Sequence, residues 1–295
     1  KYLEDHNLQA MVLGISGGID STVTAAICFE VSKRTGIPLI GRSLPIKNKD
    51  DEFNVSKLVG EAFCTNFQVC NLDESLLYTK ALQTIEHFEG EGSISKIANG
   101  NIQARLRMIY LYNLASTHNG IVISTDNQTE YQLGFWTLHG DVGDFNPLFG
   151  LWKTEVYALA DWLLQEYSME HCEHLVRVSK GEEEPHLPLK VEALKASIAL
   201  TPTDGLGISN SDLEQIGAKS YSEVDDILQE FEAFQYLYSK QFAGMTLGEK
   251  AKEFLDNQEM FYIEPEVIYK VIDRHVKSEF KRINLPICIT RDKYE

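Results

Sequence analysis

The stretch Gly14-Ile15-Ser16-Gly17-Gly18-Ile19-Asp20-Ser21-Thr22 decides how this chain of 295 residues folds. The apolar residues 10–13 before it predict a buried strand, and residues 22–34 after it carry apolar side chains at helical spacing. A glycine turn between a strand and a helix lets backbone N–H groups approach an anion, which the positive end of the helix also favours. The sequence therefore predicts a phosphate-binding turn near the start of an α/β fold.

Asp20 predicts a metal ion at this turn. Asp20 and Ser21 stand where a Walker loop has its Lys-Ser/Thr pair, so the turn belongs to a different kind of phosphate site. An aspartate beside phosphates would repel them unless a divalent cation lay between, which indicates bound Mg²⁺. The alternative is an ordinary strand-to-helix turn that Asp20 or Ser21 caps.

Composition limits the partners and the compartment. The formal net charge of −17 argues against a nucleic-acid surface and against binding to anionic lipid. The 5 cysteines are odd in number and scattered, which favours a reducing cytoplasm over a disulfide framework. No apolar run approaches the length of a membrane span, and no signal peptide is visible, so we expect no membrane association.

Strand and helix patterns alternate after the glycine turn. Further strands are predicted from residue 39 and over 67–72 and 120–124, and helices over 52–64 and 99–114. This alternation predicts a doubly wound, mostly parallel sheet with helices on both faces, in a single large domain with a helical C-terminal part. Ligands of such sheets bind at the carboxyl ends of the strands, where the glycine turn lies.

Three charged residues outside the turn are candidates for the same site. Glu130 follows a predicted strand and is a possible second carboxylate for the metal, although residues 126–130 also suit a helix N-terminus capped by Asp126 or Thr129. Lys153 opens a predicted helix, where its charge opposes the dipole, which indicates contact with a phosphate. Arg105 lies on a predicted helix as a candidate anion ligand.

Other segments carry weaker signals. The aromatic, glycine-rich segment 134–148 suits the lining of a site for a ring-bearing ligand, and residues 86–95 are predicted to form a mobile loop. The sequence HCEH at 171–174 fits a surface helix better than a metal site. The aromatic residues of 231–242 fit the core or a subunit contact equally well.

With these residues in view, the chain resembles the ammonia-dependent NAD synthetases of the N-type ATP pyrophosphatase superfamily. Residues 16–21 match the S-G-G-x-D-S pyrophosphate loop of that superfamily. The narrower resemblance rests on further blocks in the right order: Gly100–Met108, Thr125–Glu130, Leu133–Asp141, Asn146–Leu148 with Lys153-Thr154, Pro202–Asp204 and Lys281-Arg282. It spans nearly the whole chain, so residues 1–295 are expected to form one NAD synthetase domain with the adenine nucleotide alpha hydrolase-like fold.

The resemblance implies ATP-dependent amidation of deamido-NAD by ammonia through an acyl-adenylate, with release of AMP and pyrophosphate. It implies a homodimer and assigns roles residue by residue. The ATP ligands would be Gly14, Ser16, Gly17, Gly18, Asp20, Ser21, Thr125, Lys153 and Thr203, with Asp20 and Glu130 on Mg²⁺. Deamido-NAD would contact Asn101, Arg105, Asp144 and Lys281, while Asp141 would lie near the ammonia and act with Lys153 in catalysis.

Departures from the family pattern fall in the half of the site that would hold deamido-NAD. Leu138 and Phe280 replace a usual lysine and a usual histidine, and the turn over 140–144 is one residue shorter. The alternatives are another enzyme with this loop, such as a GMP synthetase unit or a tRNA-thiolating enzyme, and a non-catalytic adenine-nucleotide-binding module. The acidic surface and the absence of paired cysteines disfavour thiolation.

Overall fold

The computed structural model describes residues 1–178, 187–202, 211–260 and 262–282, except for the side chains of 172–178. The strands are β1 (Ala10–Gly14), β2 (Leu39–Ser43), β3 (Asn66–Val69) and β4 (Gly120–Ile123). The helices are α1 (Tyr2–Asp5), α2 (Ile19–Thr35), α3 (Asp50–Phe63), α4 (Leu77–Glu89), α5 (Lys96–Thr117), α6 (Gln128–Leu133), α7 (Lys153–Val178), α8 (Leu187–Ala199), α9 (Asp212–Ile216), α10 (Tyr221–Leu237), α11 (Leu247–Asn257), α12 (Pro265–Lys277) and α13 (Glu279–Arg282).

The sheet has four parallel strands in the order β3-β2-β1-β4. Its central strand β1 is apolar on both faces, as expected for a parallel strand that helices cover from both sides. On one face, Met11 and Leu13 of β1 pack in a core with α2, α3, α7 and α8. On the other face, Val12 packs with α4 and α5. The predicted doubly wound α/β fold is confirmed.

The helical C-terminal part has an apolar core of its own. Helices α10, α11 and α12 bury Phe231, Phe254 and Val271 together with Leu133 from α6. Because Phe231 is 1% exposed and Phe242 is 3% exposed, these two aromatic residues belong to the core. Leu133 belongs to α6, the helix that follows β4. The C-terminal helices therefore pack against a helix that begins near the carboxyl edge of the sheet.

Several boundaries differ from those that the sequence predicts. The loop predicted over 86–95 is shorter, because α4 continues to Glu89 and ends at Gly90, whose φ is +99°. β3 ends at Val69 instead of residue 72, although Cys70 N–H still donates a hydrogen bond to the Ser43 carbonyl oxygen. None of the helical segments that the structure describes has the length and hydropathy of a membrane span.

Candidate active site

The turn between β1 and α2 depends on Gly17, whose φ is +90°. A Cβ atom at this position would lie 2.7 Å from the Glu52 carbonyl oxygen and 2.8 Å from the Ser56 nitrogen. Both atoms belong to the backbone of α3, so neither can shift at low cost. Only glycine fits this position without strain, because it lacks a Cβ and tolerates positive φ.

The hydroxyl groups of the turn are held by the turn itself. Ser16 donates a hydrogen bond to Ser21 Oγ at 3.0 Å, Ser21 donates to the Gly18 carbonyl oxygen at 3.0 Å, and Gly18 N–H donates to Ser16 Oγ at 3.2 Å. Gly18 is also the N-cap of α2, a helix of 17 residues that has no side-chain cap. The first N–H groups of α2 are therefore suited to binding an anion.

Three charged side chains from three elements meet beside this turn. Lys153 Nζ, on the first residue of α7, lies 2.5 Å from Asp20 Oδ2 in α2 and 3.0 Å from Glu130 Oε1 in α6. The Lys153 side chain is 1% exposed, and each carboxylate side chain is 17% exposed. Because a buried charge is stable only when it is paired, Lys153 depends on the two carboxylates, and each carboxylate depends on Lys153.

The electrostatics of this cluster follow from its burial. Burial acts to lower the pKa of Lys153, but the adjacent Asp20 and Glu130 carboxylates outweigh it and raise the pKa well above the usual lysine value. Burial, together with the charge of Asp20, raises the pKa of Glu130 to about 8. Lys153 is therefore charged near neutral pH, and its charge favours the ionised form of the carboxyl groups beside it.

A capping box at the start of α6 holds Glu130 in place. The Asn127 side-chain oxygen accepts a hydrogen bond from Glu130 N–H at 3.0 Å, and Asn127 N–H donates to Glu130 Oε2 at 3.3 Å. Asn127 Nδ2 also donates to Asp20 Oδ1 at 2.8 Å. The predicted caps Asp126 and Thr129 are therefore wrong, since Asn127 performs this role and joins α6 to α2 as well.

A cavity of about 330 Å³ opens at the carboxyl edge of the sheet, above β1 and β4. The cluster of Asp20, Glu130 and Lys153 lies on its wall. The sequence-predicted residues that line it are Gly14, Ser16, Gly18, Asp20, Thr125, Glu130, Asp141 and Lys153. Gly17 and Ser21 belong to the turn but do not line the cavity. Thr203 lies outside the described residues.

Two arginines on α5 have different surroundings. Arg107 lines the cavity, where its Nε donates to the Leu44 carbonyl oxygen at 3.0 Å and its Nη2 donates to Asn48 Oδ1 at 3.3 Å. Arg105 is exposed, does not line this cavity, and donates to the Leu138 carbonyl oxygen at 3.1 Å. Of the two, Arg107 is the arginine that an anion in the cavity can reach.

The other residues that the resemblance assigns to deamido-NAD contact protein groups. Asn101 Oδ1 accepts a hydrogen bond from the Thr137 hydroxyl at 2.8 Å. Asp144 accepts one from the Tyr112 hydroxyl at 2.8 Å and one from Val122 N–H at 3.2 Å. Neither Asn101 nor Asp144 lines the cavity beside the glycine turn. Their hydrogen bonds instead connect the segment 134–148 to α5 and to β4.

Lys281 holds the turn that follows α6. Its Nζ donates hydrogen bonds to the carbonyl oxygens of Gly134, at 2.6 Å, and of Trp136. Phe280, beside it, is 56% exposed. Lys281 and Phe280 line a separate open cleft on α12 and α13, and neither lines the cavity. In this structure, therefore, Lys281 supports the backbone of the segment 134–148.

Sequence reasoning did not assign roles to Arg107 or Asn127, and it gave Asp126 only as a candidate helix cap. Asp126 is half-buried and accepts a hydrogen bond from the Ser124 hydroxyl at 2.6 Å. Burial, followed by the charge of Asp141, raises the pKa of Asp126 to about 7. All three residues lie inside the motifs on which the resemblance rests, so those motifs are the signal that could have identified them. What the sequence could not show was which side chain of each motif faces the cavity.

The described residues contain no group of three or more His, Cys, Asp and Glu side chains that could hold a metal ion. The HCEH segment at 171–174 lies within α7, so its predicted helix is confirmed, and its side chains beyond residue 171 are outside the described part. Asp20 and Glu130 are therefore the carboxylate pair to consider for a metal.

Comparison with known proteins gives relatives along the chain. The NH(3)-dependent NAD(+) synthetase of Thermoplasma volcanium is 30% identical over 95% of this chain and 90% of its own length. That of Finegoldia magna is 35% identical over 54% of this chain and 62% of its own length. The match therefore spans less than two thirds of some curated relatives, including that of Methanocaldococcus jannaschii, at 61%.

The fold also has counterparts among solved structures. The structure of NMN synthetase from Francisella tularensis has a TM-score of 0.66 and 24% identity, and the match covers 98% of this chain and 92% of that one. At this identity the likeness concerns the fold alone. The family model described as NAD synthase matches residues 1–285. This chain belongs to the NAD synthase family.

Proposed function

We propose that this chain is an ammonia-dependent NAD synthetase, which amidates deamido-NAD to NAD at the expense of ATP. The observation that carries the proposal is the contact of Lys153 Nζ with Asp20 and Glu130, on the wall of a cavity beside an uncapped helix N-terminus. The names of the relatives support it, since they are NH(3)-dependent NAD(+) synthetases.

The chemistry begins with activation of a carboxylate. Ammonia cannot displace oxide from the nicotinate carboxylate, so that carboxylate first attacks the α-phosphorus of ATP. The new oxygen–phosphorus bond gives an acyl-adenylate, and the bond to the β-phosphate breaks to release pyrophosphate. Ammonia then attacks the activated carbonyl carbon, loses a proton, and expels AMP. The first step brings anions together, so positioning and neutralisation of charge are the main contributions of the protein.

This chain supplies those contributions from three places. The turn at 16–21 and the first N–H groups of α2 receive the phosphates, and the fixed φ of Gly17 keeps the backbone of the turn in place. The ammonium group of Lys153 carries a positive charge at the same wall. Arg107 provides a second cation, and its hydrogen bonds to Leu44 and Asn48 use two of its five N–H donors.

The residues fit the predicted magnesium ion. Each of the four oxygens of Asp20 and Glu130 accepts one hydrogen bond, from Asn127 or Lys153. A carboxylate oxygen has a second lone pair, and carboxylates together with phosphates are the usual ligands of Mg²⁺. Asp20 and Glu130 would hold the ion, which when bound neutralises charge on the phosphates. The pairing of both carboxylates with Lys153 supports the proposal, since it places negative charge where a cation would bind.

We assign the proton acceptor for the second step to Asp141. Its Oδ1 accepts a hydrogen bond from Thr137 N–H at 2.7 Å, and the residue lines the cavity on the side of Arg107. Ammonium must lose a proton before it can attack, and a carboxylate fixed at the cavity wall can accept it. No nucleophilic side chain is needed, because ammonia itself attacks the adenylate.

The proposal also includes a cytoplasmic location and a homodimeric assembly. Cys28, Cys64 and Cys70 are free thiols, which suits a reducing compartment. Tyr236 and Leu237, at the C-terminal end of α10, are 82% and 75% exposed and are available for a subunit contact, unlike the buried Phe231. Light scattering of the purified chain measures the oligomeric state directly.

The decisive experiment is incubation with ATP, Mg²⁺, deamido-NAD and ammonium, followed by chromatography for AMP and NAD. We expect both products in equal amounts. A GMP synthetase unit would form AMP only with xanthosine monophosphate, and a non-catalytic module would bind ATP without releasing pyrophosphate. Gly17→Ala should abolish product formation, because its Cβ would meet the backbone of α3. Gly150→Ala is the matched control, since its Cβ would meet no atom within 4 Å.

A further inference from the structure

Asp225 is a buried carboxylate on a helix to which the proposed function assigns no role. It lies in α10, is 1% exposed, and stands between the core residues Val224 and Ile227. An aspartate is rarely buried to this extent unless it has partners. Its Oδ1 accepts a hydrogen bond from the Thr129 hydroxyl at 2.5 Å, and its Oδ2 accepts one from Thr154 N–H at 2.9 Å.

These two bonds reach the first turn of α7, which carries Lys153. Thr129 Oγ1, besides donating to Asp225, accepts a hydrogen bond from Lys153 N–H at 2.8 Å. The first N–H groups of a helix have no partner within the helix. Asp225 therefore caps α7 from a distant part of the chain, directly through Thr154 and indirectly through Thr129. Its negative charge at this helix N-terminus is also electrostatically favourable.

The same contacts join two of the three helices that form the charged cluster. Thr129 is the neighbour of Glu130 in α6, and Lys153 opens α7. Lys153 Nζ and Glu130 Oε1 are 3.0 Å apart, so a small shift of either helix would break their contact. Asp225 bonds to both helices at the point where they meet.

α10 makes a second contact with Lys153 from the same face. The Tyr221 ring lies 5.5 Å from Lys153 Nζ. Tyr221 and Asp225 are four residues apart, which places them on one side of a helix. One therefore faces the ammonium group of Lys153, and the other fixes the backbone that carries it.

We propose that Asp225 is a positioning residue for the adenylation step, and that it holds the first turn of α7 so that Lys153 Nζ stays between Asp20 and Glu130. The inference rests on the proposed function for its kinetic consequence. It makes the C-terminal helices part of the active-site framework, although they supply no group to the cavity wall beyond Asp212.

The test is Asp225→Asn, which keeps the shape but places an NH₂ group where one of the two donors needs an acceptor. We expect kcat for pyrophosphate release to fall about 20-fold, with KM for ATP changed less than about threefold. Asp226→Asn is the matched control, because that carboxylate acts on Tyr262 instead of α7. We expect it to keep wild-type rates.

Non-additivity separates positioning from general destabilisation. In a Lys153→Met background, Asp225→Asn should cause no further loss of rate, since the group that it positions is absent. A multiplicative loss, or a kcat of Asp225→Asn within twofold of wild type, would overturn the proposal. If the wild-type chain itself forms no NAD, the proposed function fails instead.

A second measurement keeps the inference testable without activity. Lys153 is 1% exposed, so acetic anhydride should label it slowly, as followed by peptide mass spectrometry. We expect labelling at Lys153 to be at least about fivefold faster in Asp225→Asn, and unchanged in Asp226→Asn. Equal protection in both variants would show that Asp225 does not hold Lys153.

Discussion

The two halves of the proposed site differ in how they are built. The half beside the glycine turn is centred on one contiguous motif, in which Asp20 stands six residues after β1 ends at Gly14. Glu130 and Lys153 come from two other helices, and Lys153 pairs with both carboxylates. The half that the resemblance assigns to deamido-NAD comes from separate segments. There Arg105 and Lys281 donate their hydrogen bonds to backbone carbonyl groups.

The difference teaches what a motif can and cannot specify. A glycine turn fixes its own geometry, because the φ of Gly17 and the helix that follows determine where an anion can bind. A basic residue in a motif indicates only that a positive charge lies somewhere near the site. Whether that cation meets a ligand or the protein backbone depends on segments far away in the sequence, such as the turn after α6 that Lys281 contacts.

The largest effect is expected for Lys153→Met. The change removes the cation that two carboxylates share and leaves both of them unpaired at the cavity wall. We expect pyrophosphate release to slow about 1,000-fold, measured with a coupled pyrophosphate assay. Lys270→Met is the control, because Lys270 pairs with Glu266 in the same helix on an exposed face. A Lys153→Met enzyme with near-normal rates would remove the first half of the comparison.

The second prediction compares two positions on α5. Arg107→Gln should lower kcat/KM for deamido-NAD about 30-fold, because a charged donor at the cavity is lost. Arg105→Gln should lower it no more than about threefold, since its guanidinium bonds to a carbonyl group outside the cavity. The reverse order would show that Arg105 turns toward the substrate when it binds, as the resemblance implies.

Much of the fold could be predicted from the sequence, because its signals are local. The strand, turn and helix around Gly17 were predicted in the right order, although α2 begins at Ile19 and not at residue 22. The approach of Lys153 to Asp20 could not be derived from periodicity, because 133 residues separate them and only tertiary packing brings α7 beside α2. The resemblance placed both residues at the ATP site, but it predicted neither their contact nor the hydrogen bond by which Asn127 joins α6 to α2.

The side chains that support the deamido-NAD half of the site could not be predicted from the sequence, for a different reason. The carbonyl oxygen of Gln132 near the end of α6 accepts hydrogen bonds from Arg282 Nη1, at 2.6 Å, and from His275 Nδ1, at 3.0 Å. The Leu133 carbonyl oxygen accepts one from Arg274 Nε at 3.1 Å. No pattern in the sequence predicts that basic residues of α12 and α13 donate hydrogen bonds to the backbone of α6, more than 130 positions earlier.

His275 makes this support sensitive to acid. Burial, followed by the charge of Arg282, lowers the pKa of His275 to about 4, whereas the unfolded chain has the usual value near 6.5. Between these values the unfolded state binds more protons, so the free energy of unfolding falls as the pH drops below about 6.5. From pH 7 to pH 5 we expect this histidine to cost about 2 kcal/mol, and His275→Gln should lack that loss in urea unfolding. Equal pH dependence in both proteins would contradict the buried neutral state.

The smallest effect is expected for Lys281→Met, which decides between support and substrate contact. If Lys281 holds the carbonyl groups of Gly134 and Trp136, its loss should lower the free energy of unfolding by about 1 kcal/mol and raise KM for deamido-NAD about threefold. A direct contact with the substrate would instead raise KM about 30-fold and leave stability unchanged. Lys277→Met is the control, since Lys277 pairs with Asp273 on the exposed side of α12. We expect the first result, because Lys281 Nζ donates hydrogen bonds to both carbonyl oxygens and lies outside the cavity beside the glycine turn.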